Sequence, residues 1–297
     1  MISGILNLNK PAGKSSHDMV YFARRVYKTK KTGHAGTLDP AASGVLPILV
    51  GTATKLSDLI LNHDKEYRAV LKLGITTDTM DATGRVLKTC EDLPDFEQVR
   101  GICANFTGEI IQVPPIYSAV KVNGRKLYEY ARRNMKPDIP LRKVNIYSLT
   151  CEQTARAGEY ILNISCSKGT YIRSVCHDIG QKLNCGGIMS ELCRTGSGMF
   201  GIAHSYTPEY VQTLEDPGSV LISCERVLKN FASRQINLDP FYSKLAKNGA
   251  EIYFGKLGLN FDTGEKILMY DNENKLFALG EAGNFKGGPA CKAQIFI

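Results

Sequence analysis

No stretch of this chain strings together the roughly 18 apolar residues that a membrane-spanning helix needs, and its first residues, MISGILNLNKPAGK, lack the basic, apolar, small-residue order of a signal peptide. The expectation is a soluble cytoplasmic protein with no membrane partner. Low-complexity tracts and fixed-period repeats are missing too, which argues against solenoids and disordered polymers. The nine cysteines are scattered, with no CxxC, so free thiols acting as small buried hydrophobes are expected rather than a disulfide framework. His17, His34, His63, His177 and His204 lie too far apart for an HxxxH pair, and no metal is expected. GxSxG, GxxxxGK[ST] and a GxGxxG following a strand are also absent, which removes the usual signatures of serine hydrolases, P-loop enzymes and dinucleotide-binding folds.

What remains is an ordinary globular composition, 43% hydrophobic and 22% charged over 297 residues. That length supports one large domain, or a main domain with a smaller companion. The net charge of +8 points towards an anionic partner. It is concentrated between Lys121 and Lys143, where eight Lys or Arg face only Glu129 and Asp138. Tyr117, Tyr128 and Tyr130 interleave those charges, as a surface gripping phosphates and bases would require; a solvated helix face explains the charge equally well at this level.

GILNLNK alternates like a short strand, and a helix is expected from near Ser16, with Met19, Val20, Phe22, Ala23, Val26 and Tyr27 at helical spacing and Arg24, Arg25 and Lys28 left for solvent or a ligand. Tyr67 to Ile75 reads as a strand, and TTDTMDATG after it as a turn rather than a calcium loop, because Met80 stands at a ligand position and no closing Glu follows. A helix is expected near residues 96–106. Two strand-like runs follow, RKVNIYSLTCEQT and GEYILNISCSKGT, the second with Tyr160, Leu162, Ile164 and Cys166 on one face. TYIRSVCHDIGQKL places Ile172, Val175, Cys176, Ile179 and Leu183 on one helical stripe, with Thr170 as candidate cap and Arg173 at the stripe's edge. Beyond a polar, turn-rich stretch at 205–225, the runs EIYFG, EKILMY and KLFALG read as short strands, the last two joined by DNEN, and predict a small β-barrel-like appendage. Strands mixed with helices, without regular βαβ alternation, make the main domain α+β.

The stretch GHAGTLDPAASGVLPILVG, residues 33–51, is dense in glycine and proline and carries one full charge, Asp39. A solitary Asp before Pro is ordinarily a turn or helix-start signal. Its neighbours change that reading. NKPAGKSSHD, GHAGTLDPAASGVLPILVGTATK, KEYRAVLKLGITTDTMDATG, PPIYSAVKVNGRKLYEYAR and CSKGTYIRSVCHDIG, in this order over roughly the first 210 residues, resemble the successive signatures of the TruB family, the bacterial-type tRNA pseudouridine-55 synthases.

The resemblance implies a pseudouridine synthase catalytic domain, with a mixed or antiparallel sheet and flanking helices. It implies an isomerase that turns uridine 55 in the TΨC loop of tRNA into pseudouridine, as a monomer and with no cofactor. Asp39 occupies the nucleophile position; a carboxylate is already ionised at neutral pH and can form a covalent adduct. Tyr67 matches the aromatic that stacks on the target base, and Arg173 the arginine that pairs with the catalytic carboxylate. Tyr171 and Leu192 match positions lining the uracil pocket, and His34 the histidine that fills the gap left by the flipped nucleotide. Lys10, Pro11 and Gly13 match the family's first motif and support the site. Lys121, Arg125, Lys126, Arg132 and Arg133 fall in the family's RNA-gripping insertion, about 121–143. The expected division is a catalytic domain over 1–215 and a PUA-like RNA-binding domain over 222–297. Ser43, Cys193 and Met199 depart from the usual Thr, Arg and Pro without touching the nucleophile. A non-catalytic RNA-binding protein on the same scaffold is the rival reading; it has no need of Asp39, Tyr67 and Arg173 together.

Overall fold

The computed structural model describes residues 2–133, 135, 137–232 and 234–297. Its larger sheet has nine strands, with Gly4–Lys10, Ser43–Val50, Gly187–Ser197, Lys65–Leu73, Glu159–Cys166, Arg142–Gln153 and Gly108–Gln112 as consecutive neighbours. Thr32–His34 and Phe200–Gly201 pair at its margins. Pairing is antiparallel except where Cys193 and Arg194 run parallel to Ser43 and Gly44, so the sheet is mixed and the α+β expectation holds.

Alternation explains which strands face the core on one side only. Tyr160, Leu162, Ile164 and Cys166 are buried while their neighbours are partly exposed. They meet Ala69, Leu71 and Leu73 of the adjacent strand and Ile172, Val175, Cys176 and Ile179 of the helix Ile172–Lys182 in one cluster. Gly4–Lys10 and Ser43–Val50 are covered on both faces, which is why they read as nearly continuous apolar runs. On one side Leu6, Leu8, Leu46 and Ile48 pack against Met19, Val20, Phe22 and Ala23 of the helix Ser16–Val26. On the other, Ile5, Val45 and Leu49 join Val227, Leu228, Leu268, Leu276 and Leu279.

The helix Ser16–Val26 starts at a capping box in which Ser15 and Asp18 satisfy each other's backbone N–H groups. The cap expected at Thr170 is not one. Tyr171, without a side-chain cap, precedes the helix Ile172–Lys182, and the Thr170 hydroxyl donates instead to the Ser167 carbonyl. Gln112 takes over the local polar groups, accepting from the Tyr171 N–H at 3.0 Å and donating to its carbonyl at 3.2 Å.

The C-terminal part is a five-stranded sheet in the order Arg234–Asn237, Lys266–Tyr270, Leu276–Phe285, Gly288–Phe296, Ile252–Tyr253. The hairpin at DNEN forms as read, with the Asp271 carboxylate accepting from the N–H groups of Glu273 and Lys275. EIYFG supplies a two-residue strand before a single helical turn, Phe254–Lys256. The strand Gly288–Phe296 and the helix Pro240–Lys247, capped by Asp239, carry no sequence signal strong enough to be read beforehand. Between the sheets, residues 206–222 lie along the first strand: Asn9 N–H donates to the Tyr206 carbonyl at 2.8 Å, and Ile5 and Ile222 exchange backbone bonds.

Candidate active site

The loop that carries Asp39 is held from three sides. From one, the Ser16 hydroxyl accepts from the Leu38 N–H at 2.9 Å and donates to the Leu38 carbonyl at 3.1 Å. From a second, the fully buried Lys10 ammonium donates to the carbonyls of Pro11, Lys14 and Pro40 at 2.9, 2.6 and 3.3 Å, and the Gly13 N–H also reaches Pro40. NKPAGK is thus a clamp on the residue next to the carboxylate.

The third side is Arg194, which is 1% exposed. Its Nε donates to the Val45 carbonyl at 2.7 Å and its Nη2 to the Gly36 carbonyl at 3.1 Å. This approach accounts for two of the loop's glycines. Gly44 has φ +103°, and a Cβ there would fall 2.2 Å from the Arg194 carbonyl oxygen; Gly36 has φ +99°, with its Cβ position 3.3 Å from an Arg194 Nη. Both conformations strain any L side chain.

Asp39 meets Arg173 across the cleft, Oδ2 to Nη2 at 3.1 Å. The guanidinium is 7% exposed and the carboxylate 42%, so the cation is fixed and the anion remains reachable. Three further oxygens set Arg173: the Tyr117 carbonyl at 3.1 Å, the Thr79 carbonyl at 3.4 Å, and the Asp81 Oδ2, 3.7 Å from Nη1. Asp81 is itself fixed by the Thr79 and Thr83 hydroxyls and the Thr83 N–H. The TTDTMDATG segment is a turn, as read, but a turn whose second carboxylate braces Arg173.

Tyr67 stands opposite Arg194 in the strand pairing and Leu192 opposite Ala69, so both wall residues come from neighbouring strands. Burial pushes the Tyr67 phenol above its ordinary value, while the Arg194 guanidinium beside it works in the other direction. Tyr67, Tyr171, Leu192, Met189 and Ser118 line a cleft of about 650 Å³ together with Asp39 and Arg173. Ser118 is buried with its hydroxyl unpartnered. Burial also brings the Lys65 ammonium, at the cleft, down to about 8, and its Nζ donates to the Leu61 and His63 carbonyls.

His34 lies just outside this lining, on the short strand before the loop. Burial holds its imidazole below the ordinary histidine value, and Nδ1 has no partner. Lys121 and Arg142 reach the cleft from the basic segment. Arg125, Arg132 and Arg133 are exposed on a hairpin and the short helix Leu127–Arg132, while Lys126 and Arg132 flank the Tyr128 ring at 5.5 and 5.4 Å. Lys136, part of the same basic run, lies outside the described residues.

The structure therefore brings Asp39, Tyr67, Tyr171, Arg173 and Leu192 into one cleft, sets His34 beside it, and leaves Arg125, Lys126, Arg132 and Arg133 beyond its rim. Sequence reading missed Arg194, Asp81, Lys65 and Ser118. All four stand inside the quoted motifs or the neighbouring SELCRTGSG, but nothing local marks a buried arginine as different from an exposed one. No group of three potential His, Cys, Asp or Glu metal ligands occurs among the described residues.

Apart from Asp39, the charged residues lining the cleft are cations: Lys65, Lys121, Arg142, Lys168, Arg173 and Arg194. One accessible carboxylate against a fixed guanidinium, in a positive cleft with an aromatic wall, suits an enzyme whose substrate is anionic and carries a flat base. Comparison with known proteins narrows the class. Residues 24–172 match the family model described as "TruB family pseudouridylate synthase (N terminal domain)", and residues 173–225 match "tRNA pseudouridylate synthase B C-terminal domain". A tRNA pseudouridine synthase B of Heliobacterium modesticaldum is 47% identical over 287 residues, 95% of this chain and 91% of that protein. The protein of the same name from Clostridium kluyveri is 44% identical, covering 96% and 97%. The crystal structure of a Cbf5-Nop10-Gar1 complex contains a chain that superposes with TM-score 0.69 at 26% identity, covering 99% of this chain and 85% of that one. The chain belongs to the TruB family of pseudouridylate synthases, isomerases acting on tRNA uridine.

Proposed function

We propose that this protein isomerises uridine 55 in the TΨC loop of tRNA, with Asp39 as nucleophile on a flipped-out uridine. The observation that carries this is the 3.1 Å pair between accessible Asp39 and buried Arg173 inside a cleft walled by Tyr67, Tyr171 and Leu192. The reaction breaks the bond from uracil N1 to ribose C1′ and joins C5 to C1′; a proton leaves C5 and one is gained at N1, so its atoms balance without a co-reactant. Asp39 forms the covalent adduct that holds the fragments together, attacking either C1′ or the base. Arg173 keeps the carboxylate ionised and aimed. Tyr67 stacks on the base as a neutral phenol, since burial raises it; any part it takes in removing the C5 proton depends on Arg194 to stabilise the phenolate.

His34, neutral and with a free Nδ1, fills the space the uridine vacates, offsetting part of the few kcal/mol that extrusion costs. Residues 1–215 form the catalytic unit. Within it Lys121, Arg125, Lys126, Arg132 and Arg133 grip the RNA, and residues 222–297 form a PUA-like unit that adds RNA contacts. The protein works as a cytoplasmic monomer. Incubation with an unmodified tRNA transcript, followed by mapping of pseudouridine, tests the proposal: product at position 55 supports it, and its absence with properly folded protein leaves the rival, a non-catalytic RNA binder.

A further inference from the structure

The helix Ser16–Val26 packs along the segment that leads into the Asp39 loop. At its start Ser16 is bound to Leu38, and near its end the Arg24 Nε donates to the Thr32 hydroxyl at 3.0 Å. The segment 32–38, with His34 in it, therefore runs back along the helix, one end fixed at each of its ends. Outward from this helix stand three side chains spaced by four and three residues, which places them on one face. His17 packs edge-on against Tyr21 with ring centroids 4.6 Å apart, and the Arg24 guanidinium lies 5.3 Å from the same ring. Tyr21 is 52% exposed with both neighbours against its ring.

The surrounding charge is one-sided. Lys14, Arg25, Lys28, Lys30 and Lys31 join Arg24, against Asp18 alone, and the Asp18 carboxylate is engaged by the Ser15 N–H and hydroxyl. Among the described residues none of these cations has a carboxylate within ion-pair distance. A preset, half-exposed aromatic ring with a guanidinium over it, bordered by unpaired cations, is complementary to an unpaired nucleobase and its flanking phosphates. A protein partner with an acidic surface would satisfy the cations but leave the ordered ring unexplained.

We infer that His17, Tyr21 and Arg24 form a stacking platform for a nucleotide of the substrate loop flanking the extruded uridine, with Arg25 and Lys28 on its phosphates. This rests on the proposed RNA substrate and deepens it, because it assigns binding energy to a face outside the cleft and outside the basic insertion. A merely structural ladder, which would only stabilise the helix, makes a different prediction for each variant.

The experiment uses the full-length protein and an unmodified TΨC stem-loop transcript. Tyr21→Ala should raise KM roughly five- to tenfold, the low end for loss of one base–aromatic stack, with kcat changed less than twofold; Tyr21→Phe should restore KM. Arg25→Gln with Lys28→Gln should lower the slope of log affinity against log salt by between one and two. The inference is overturned if Tyr21→Ala keeps the wild-type KM, or if its KM rises only in step with a fall in melting temperature that Phe does not repair. An unchanged salt slope in the double variant removes the phosphate contacts. Because each comparison is against active wild type, failure here is separable from failure of the isomerase reading, in which wild type itself gives no pseudouridine.

Discussion

Arg194 donates through Nη2 to the carbonyl of Gly36, 3.1 Å away and three residues before Asp39. The largest side chains in the fully buried class begin with this arginine, and it spends its donors on the backbone of the loop that presents the carboxylate. Its second role is electrostatic, since it opposes the rise that burial imposes on Tyr67. Arg194→Met should therefore destabilise the fold by roughly 2–4 kcal/mol, through two orphaned carbonyls and a lost charged donor. Denaturant melts check the first effect. Single-turnover kinetics check the second, a slower chemical step at unchanged tRNA affinity. Wild-type stability in this variant would refute the buried-clamp account.

Asp39→Asn keeps the shape of the loop and removes the proposed nucleophile. Turnover should vanish while tRNA affinity stays within about tenfold, or 1.4 kcal/mol. Filter binding alongside a pseudouridine assay separates the two quantities. Turnover at the wild-type rate would reassign the nucleophile.

Arg173→Lys should lower the rate of the chemical step roughly 10- to 100-fold, because one ammonium cannot span Asp39, Asp81 and two carbonyls as the guanidinium does. Asp81→Asn should give a smaller loss, as it loosens Arg173 without removing it. If the Asp81 variant is the more damaged of the two, Asp81 has a role beyond bracing.

Lys65 carries a pH signature. Its folded value is about 8 against an ordinary 10.5, lowered by burial. Between those pH values the unfolded chain holds a proton that the folded one has released, so stability from this group is absent below about pH 8 and rises towards pH 10.5. In Lys65→Met that rise is missing, and the gap between wild type and variant should move in favour of wild type across the window. Buried thiols such as Cys176, pushed up to about 12, act with the opposite sign but equally in both proteins. Parallel denaturant titrations at pH 7.5 and 10 test this; a gap constant with pH would place the Lys65 ammonium in water.

Neutralising Arg132 and Arg133, both exposed and beyond the cleft, should weaken tRNA binding and flatten its salt dependence while leaving the saturated rate intact. An unaltered slope would return the basic segment to a solvated face.

Much of the larger sheet and its helices was legible because its signals are local. Alternation at Tyr160, Leu162, Ile164 and Cys166 marked a buried strand face, and the helical spacing from Met19 to Tyr27 marked a helix beginning near Ser16. Thr170 failed as a cap because the helix begins one residue later, after Tyr171, and the Thr170 hydroxyl turns back to donate to the Ser167 carbonyl. The strand Gly288–Phe296 was obscured by its glycine, proline and lysine, which read as loop, although Ala290, Cys291 and Ala293 are buried by its neighbours.

By itself, the order of motifs determined the family, and residue type determined what each position could do: a carboxylate at 39, a guanidinium at 173, an aromatic at 67, and glycines where backbones must nearly touch. Their meeting was decided by tertiary structure. Asp39 and Arg173 are 134 positions apart in the chain, and neither position carries local information about the other. The register of the strands bearing Tyr67 and Leu192, the parallel approach of Arg194 to Gly44, and the turn that swings Asp81 behind Arg173 set those distances. Burial then completed the site, since only the packed fold removes water from Arg194, Lys65 and Tyr67 and turns ordinary side chains into a positioned, electrostatically tuned set.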